Sequence, residues 1–513
     1  MSSTRTRDGL SGVAAAGLAL GVSELAAGLV GGFPSLIQGL GNWVIDIVPK
    51  SVKDVAIQLF ATHDKLALVI GIVVVTLLIG GLVGVLARSR FGIAIGVFLA
   101  FAVIAAWAAA RDPGVSLAIA IIPAGLAAIT GLGTLQWLYD RGDRRAPDSS
   151  DGAAVIAGSR RSFLIGFGAV VGLAVISAGV GRTLLDRARR TVAGRGEVEL
   201  PAPAVALPEV PPAAELGVAG LSPIITPNPD FYRIDTALSV PRVDLQEWSL
   251  SIEGMVDHPY SVSYYDLLDL RMEEIDVTLS CVSNRVGGNL VSNARWLGVP
   301  LTEILDRAGV QPDAEQIVGR SVDDFTVGFP VEAAYDGREA IVAVGMNGEP
   351  LPFEHGFPAR LVVAGLYGYV SATKWLSSIE LKRWDEFDAY WVPRGWAKEA
   401  PIKTQSRIDT PSNGERLEAG MIPVAGVAWA PNRGISKVEV QLGADTDWVE
   451  AELSQPLSAD SWIQWVTDWD AQPGTHELQV RATDADGNTQ TDEMVPPAPD
   501  GATGWHRVRV SVA

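Results

Sequence analysis

The only cysteine among the 513 residues, Cys281, stands in Thr278-Leu-Ser-Cys-Val-Ser-Asn-Arg285. Apolar Ile275, Val277 and Leu279 alternate with polar residues up to it, so the pattern predicts a strand that ends at the cysteine and gives way to a Ser-Asn-Arg turn. A lone cysteine is ordinarily a small buried hydrophobe. As a thiolate it is also a ligand for a soft metal, and in an oxidising compartment an uncapped thiol is a liability. A second constellation follows. His355 and Arg360 flank a Gly-Phe-Pro turn ahead of an apolar Leu-Val-Val run, and a glycine-rich segment from Gly365 leads to Lys374. Basic side chains beside exposed backbone N–H groups make an anion site.

These groups need elements to hold them. Trp248 to Val256 alternates apolar and polar as a strand does, and Tyr264 to Leu270 reads as a short helix leading to the cysteine strand. From about residue 401 the text changes to short strands, Val424 to Trp429, Ile435 to Leu442, Trp462 to Thr467 and His476 to Thr483, separated by turns such as Asp486-Gly-Asn488. That spacing signals a β-sandwich. The acidic pairs Asp445 with Asp447 and Asp484 with Asp486 read as turn residues rather than calcium ligands.

The chain is 48% hydrophobic with a mean hydropathy of +0.23. The excess lies before residue 182, which predicts a membrane part followed by a soluble part. Apolar runs of spanning length occur at about 10–32, 66–87, 91–110, 115–138 and 162–181. Between the first two, residues 33–65 are too broken to span and read as a re-entrant or interfacial piece. Glu24 is a charge inside the first span, where it calls for a polar partner. The five histidines are His63, His258, His355, His476 and His506, none within a span, which excludes a bis-histidine haem in the bundle. Residues 193–225, rich in Pro and Ala, read as an extended tether. After residue 200, Asp and Glu outnumber Lys and Arg 46 to 22, so nucleic acid is an unsuitable partner for the soluble half.

The text TLSCVSNR followed by SNARWLGVPL, with FYRIDT at 231–236 and the His355, Arg360 and Lys374 series, resembles the molybdenum-pterin domain of the sulfite oxidase family over about 226–400. The β-rich stretch 401–513 is similar to the immunoglobulin-like dimerisation domain that follows it in that family. With the apolar runs giving a five-helix transmembrane domain (1–192) and the Pro/Ala-rich stretch a linker (193–225), the resemblance implies an α+β molybdopterin domain (226–400) and an all-β immunoglobulin-like sandwich (401–513) in one multi-domain chain. It implies a molybdenum–molybdopterin cofactor with Cys281 as metal ligand, and His355, Arg360 and Lys374 as pterin contacts. Tyr232, Asn284 and Arg285 are further pterin candidates, while Arg233 and Arg433 are candidate cations for a substrate. Ser159-Arg160-Arg161-Ser162-Phe163-Leu164 resembles a twin-arginine export signal, which places the soluble half outside the cytoplasm. The expected function is two-electron oxygen-atom transfer on a small substrate by a membrane-anchored enzyme, exchanging electrons with an external cytochrome or quinone-linked subunit and pairing as a homodimer through 401–513. Sulfite oxidases continue the cysteine motif with two arginines; this chain has Arg285 then Val286, and a short loop to Ser292 that lacks their tryptophan. Sulfite oxidation and reduction of a neutral oxide are both open on that pattern, as is a metal-free assembly module.

Overall fold

The computed structural model describes residues 2–30, 33–48, 64–111, 115–143, 152–192, 194–238, 240–443 and 446–513. The chain divides into two compact units, Met1–Val192 with Ala237–Val240, and Ala193–Thr236 with Pro241–Ala513.

The first unit is helical: α1 (Ser2–Leu29), α2 (Leu36–Ile47), α3 (Asp64–Leu86), α4 (Gly92–Ala109), α5 (Leu117–Asp143) and α6 (Gly152–Val192). Five stretches, Thr4–Leu29, Lys65–Leu86, Gly92–Ala109, Leu117–Arg141 and Arg161–Leu185, are long and apolar enough to cross a membrane. In the broken 33–65 segment, α2 is a 12-residue helix capped by Ser35, whose hydroxyl accepts the Gln38 N–H; this is too short to span. His63, Arg144 and Arg145 lie outside the described residues, as do residues 31–32 at the end of the first apolar run and the Ser159 and Arg160 side chains of the export-like string. α1 and α6 approach so closely that a Cβ added at Gly21 would meet Ala174 O at 2.5 Å, and one at Gly28 would meet Gly181 O at 2.4 Å. Small residues permit such contact where no hydrophobic force drives helices together. Beside that seam the buried Glu24 carboxylate accepts the Ser35 hydroxyl at 2.7 Å and lies 3.2 Å from Arg182 Nε, so this charge within the first apolar helix has its partners.

The second unit opens with ten strands: β1 (Ser249–Gly254), β2 (Tyr260–Ser263), β3 (Glu273–Ser280), β4 (Val291–Pro300), β5 (Gln316–Ser321), β6 (Thr326–Pro330), β7 (Ala340–Met346), β8 (Glu349–Pro350), β9 (Arg360–Val363) and β10 (Leu376–Lys382). They form one sheet ordered β2-β1-β10-β5-β6 and another ordered β3-β4-β7-β8, with β9 also on β7. Three short helices, α7 (Tyr264–Leu268), α8 (Leu301–Ala308) and α9 (Gly368–Ser371), complete an α+β core. Nine strands follow: β11 (Gln405–Thr410), β12 (Arg416–Leu417), β13 (Gly420–Trp429), β14 (Ile435–Gln441), β15 (Trp448–Glu450), β16 (Glu452–Leu453), β17 (Ile463–Ala471), β18 (Gly474–Asp484) and β19 (His506–Val512). Their sheets, β11-β13-β17-β16 and β12-β19-β18-β14-β15, share a separate core built on Trp465, Val438, Val440, Leu478 and Val480.

The stretch read from composition as a tether, residues 193–225, lies against the folded domains instead over its described part, 194–225. The Glu274 N–H donates to Val205 O, the Gln464 Nε2 group to Glu215 and Ser222 O, and the Trp462 indole N–H to Ile224 O. With no sheet of its own, this segment finds its hydrogen bonds on other elements, which is how an aperiodic stretch becomes ordered.

Candidate functional site

β3 and β4 form an antiparallel hairpin in register Ser280↔Val291, Leu279↔Ser292 and Val277↔Ala294, so Cys281 is the first residue of the connecting loop. Its N–H donates to Leu290 O at 2.9 Å, and its carbonyl accepts the Asn284 N–H at 3.0 Å. The alternation read in the sequence has a physical basis on both faces. Ile275, Val277 and Leu279 enter the apolar core. Asp276, Thr278 and Ser280 on the other face are also buried: Asp276 takes a bidentate pair from Arg295 at 2.9 and 2.8 Å, and the Thr278 hydroxyl donates to Asn293 at 2.9 Å. A charge-assisted fork of this kind fixes register as well as contributing energy. Cys281 is 7% exposed, and burial pushes its thiol above the ordinary value, with Ser283 opposing. The thiol is therefore neutral here, and binding a metal would release its proton.

The anion constellation lies at the other sequence-predicted positions. Arg360, 4% exposed, donates to His355 O at 3.1 Å, Leu361 O at 3.3 Å and Ala372 O at 3.5 Å, with its guanidinium over the Trp296 ring at 5.0 Å. No carboxylate pairs with it among the described residues, and burial draws its pKa down to about 10. A buried cation satisfied only by carbonyls is a site that an anion completes. Lys374 donates to Asp235 and to Glu354 O, each at 3.0 Å, and burial lowers its pKa to about 8. His355 faces Asn228 O at 3.0 Å; a carbonyl only accepts, so Nε2 carries the proton.

His355 is thus a neutral donor rather than the cation that the sequence grouping implied. Burial and the neighbouring Arg360 and Lys374 hold it at about 4. Against an ordinary 6.5, the folded state binds fewer protons than the unfolded chain between those values, so stability from this group is present above about pH 6.5 and lost as pH falls toward 4. The expected loss is about 3 kcal/mol. His506 is held at about 4 for similar reasons and shares the effect. His355→Gln should therefore reduce the slope of urea-unfolding free energy of the cofactor-free protein between about pH 6.5 and 4, leaving the share of His506 in place, and an unchanged slope would refute the assignment.

Tyr232 stacks on Phe231, donates its N–H to Ser292 and has a hydroxyl pKa driven upward by burial and by Cys281, with Arg360 opposing. Its hydroxyl is within electrostatic reach of both Cys281 and Arg360. Arg233 is exposed and pairs with Asp235 at 3.0 Å, and Asp235 joins it to Lys374. Asn284 accepts the Leu290 N–H at 3.0 Å, so its carbonyl oxygen closes the cysteine loop, while Arg285 projects outward. Arg433, read as a candidate substrate cation, is committed to Asp484 at 2.9 Å and to Ile402 O and Thr404. Asp484 is thereby accounted for, Asp445 lies outside the described residues, and no group of three metal-ligating side chains occurs among the described residues. Sequence reasoning missed Asp235, Asn228 and Trp296, although Asp235 sits in the quoted FYRIDT string and could have been found there.

The buried thiol at the hairpin mouth and the carbonyl-held guanidinium belong to one α+β domain, an arrangement that can serve a cofactor-dependent oxidoreductase. Residues 237–391 match the oxidoreductase molybdopterin binding domain, and residues 397–513 match the Mo-co oxidoreductase dimerisation domain. The chain belongs to the sulfite oxidase family of molybdopterin oxidoreductases. It is 30% identical over 340 residues to the mitochondrial sulfite oxidases of Macaca fascicularis and Homo sapiens, covering 56% of this chain and 62% of each relative. It is 28% identical over 335 residues to a nitrate reductase [NADH] of Brassica napus, covering 53% of this chain and 36% of that one. The chain thus spans under two thirds of the length of these relatives. The crystal structure of the sulfane dehydrogenase SoxCD from Paracoccus pantotrophus shares the fold, with a TM-score of 0.50 at 23% identity, covering 61% of this chain and 93% of that one.

Proposed function

We propose that the protein is a membrane-anchored molybdenum-cofactor oxidoreductase that transfers an oxygen atom to or from a small substrate on the extracytoplasmic side. Cys281 is the metal ligand; Arg360, Lys374, His355 and Tyr232 hold the pterin and its anionic tail, and Arg233, Asn284 and Arg285 line the approach. The observation that carries this reading is the buried Arg360 guanidinium, satisfied by three carbonyls and no carboxylate. Its donor chemistry fits a phosphate-bearing organic cofactor, as a buried soft thiol fits molybdenum. When bound, such a cofactor supplies two-electron oxygen-atom transfer. The chain's own residues keep water from the sulfur, hold Lys374 protonated against Asp235, and supply one neutral donor at His355. Helices α1 and α3–α6 anchor the protein, Arg160-Arg161 direct export, and the segment 401–513 is an immunoglobulin-like sandwich that pairs two copies. Electrons pass to or from a separate redox protein. Metal analysis of purified protein, followed by a dye-coupled screen against sulfite, sulfoxides, N-oxides and nitrate, tests the reading; protein purified with its anchor and containing no molybdenum would overturn it.

Substrate charge follows from the cations. Arg233, Arg407 and Arg433 are each paired with a carboxylate, and Val286 stands where a second loop arginine would. A neutral oxide is the better match, because an anion brought to this mouth would meet one exposed guanidinium, Arg285, and otherwise cations already paired, so it would lose hydration for little return. Val286→Arg is expected to raise sulfite oxidation relative to sulfoxide reduction by about ten- to a hundredfold, the worth of one charged hydrogen bond. Both rates are normalised to molybdenum content. Equal loss of the two at unchanged metal content would remove Val286 as a determinant.

A further inference from the structure

The cysteine loop is held from outside its own domain. Arg407, on β11 of the C-terminal domain, pairs with Asp409 and donates Nη1 to Gly288 O at 2.9 Å and Nη2 to Ser222 Oγ at 2.8 Å. One guanidinium thus joins three segments: the C-terminal sheet, residues 194–225 and the loop that begins at Cys281. Both partners are largely buried, with side chains 11% and 6% exposed. Next to it, the His506 ring on β19 takes the Ile408 N–H on Nδ1 at 3.0 Å and lies against Gly287, where an added Cβ would come within 2.0 Å of the ring. Gly287 has φ +74, so both its conformation and its neighbour demand glycine. On the inner side, Asn284 Oδ1 would lie 2.4 Å from a Cβ at Gly288. The loop is thus packed tightly on itself through Asn284 and held from outside by Arg407 and His506 of the C-terminal domain.

We propose that Arg407 is a positioning residue: from the C-terminal domain it keeps the 281–290 loop closed over Cys281 and so sets the access and orientation of the sulfur. The planar fork matters because a point cation on a flexible stem could satisfy Asp409 but not also the Gly288 carbonyl and the Ser222 hydroxyl. The functional consequence rests on Cys281 being the metal ligand, whereas the closure itself does not.

Cys281 is the only cysteine, so alkylation of the cofactor-free full-length chain by N-ethylmaleimide reports on this loop alone. Arg407→Ala is expected to alkylate at least tenfold faster than the native protein, at a rate insensitive to low urea, as a local opening requires. Arg407→Lys should fall between the two. Arg481→Ala, which removes a pair with Glu439 elsewhere in the same domain, should leave the rate at the native value. If Arg407→Ala does not fold, the double variant with Asp409→Ala removes the stranded carboxylate and carries the test. In cofactor-loaded protein, Arg407→Ala should change the Mo(V) spectrum and lower kcat more than it changes KM. Native-like alkylation in Arg407→Ala, or acceleration only through urea-dependent global unfolding, would overturn the proposal. Faster alkylation with an unchanged spectrum would uphold the closure and count instead against Cys281 as ligand.

Discussion

Replacing Cys281 by serine is expected to leave a folded, pterin-bearing protein without turnover. The residue is held in the loop through its backbone N–H and carbonyl, which serine keeps, and its sulfur contact with Ser283 is one a hydroxyl can also make, so the change in stability should stay within about 1 kcal/mol. The chemistry does not survive in the same way. A serine hydroxyl is a harder and far less acidic donor than a thiolate. Altering groups that merely support a metal ligand costs 10–100-fold, so replacing the ligand itself should cost on the order of 10³ or more. Turnover, molybdenum and pterin content are measured on the same preparation. Native turnover in Cys281→Ser would sink the ligand assignment.

Arg360→Met is expected to cost cofactor retention far more than it changes the stability of the cofactor-free protein. In the cofactor-free protein, the guanidinium is a buried charge held only by three carbonyls at 3.1–3.5 Å and the Trp296 face. Burial lowers its pKa from 12.5 to about 10, a penalty on the charged form of about 3 kcal/mol. Methionine fills a similar length without charge, and the cost of the three freed carbonyls offsets that gain, so the stability of the cofactor-free variant should change far less than its cofactor retention. The cofactor tail loses a charge-assisted contact of ~1.5–3 kcal/mol, and retention should fall by about ten- to a hundredfold. Thermal unfolding of cofactor-free protein and pterin retention after gel filtration give the two effects. A destabilised variant that still holds its pterin would refute the assignment of Arg360 to an anion site.

How much of this was legible beforehand depends on where each residue's partners lie in the chain. The cysteine strand was readable because Ile275, Val277 and Leu279 carry a local period of two, and His355, Arg360 and Lys374 fall within one continuous stretch. The polar face of the same strand was not readable. Asp276 and Thr278 resemble solvent-facing positions, yet Thr278 accepts the Trp462 N–H at 2.7 Å across 184 residues of sequence. Alternation reports that two faces differ, not what covers the second. The proton on His355 was invisible for a related reason, since it is set by the Asn228 carbonyl 127 residues away. Arg407 offered no signal at all: an alternating strand residue becomes a clamp only once Gly288 and Ser222 are beside it.

The docked course of residues 194–225 decides where the enzyme can be cut. The domain matches begin at residue 237, which invites a soluble version starting there. Such a truncation would strip the Ile224 carbonyl from both the Trp462 indole and the Asn293 amide, and Glu215 from Gln464, all on buried side chains. Each orphaned group costs about 1–3 kcal/mol, and together they approach the whole stability of an ordinary domain. They also lie under the strand that presents the cysteine. A shortened protein that failed to bind cofactor would therefore be reporting a missing stretch of backbone rather than missing helices, and the informative boundary for a version without the helical unit is just after α6, at residue 194.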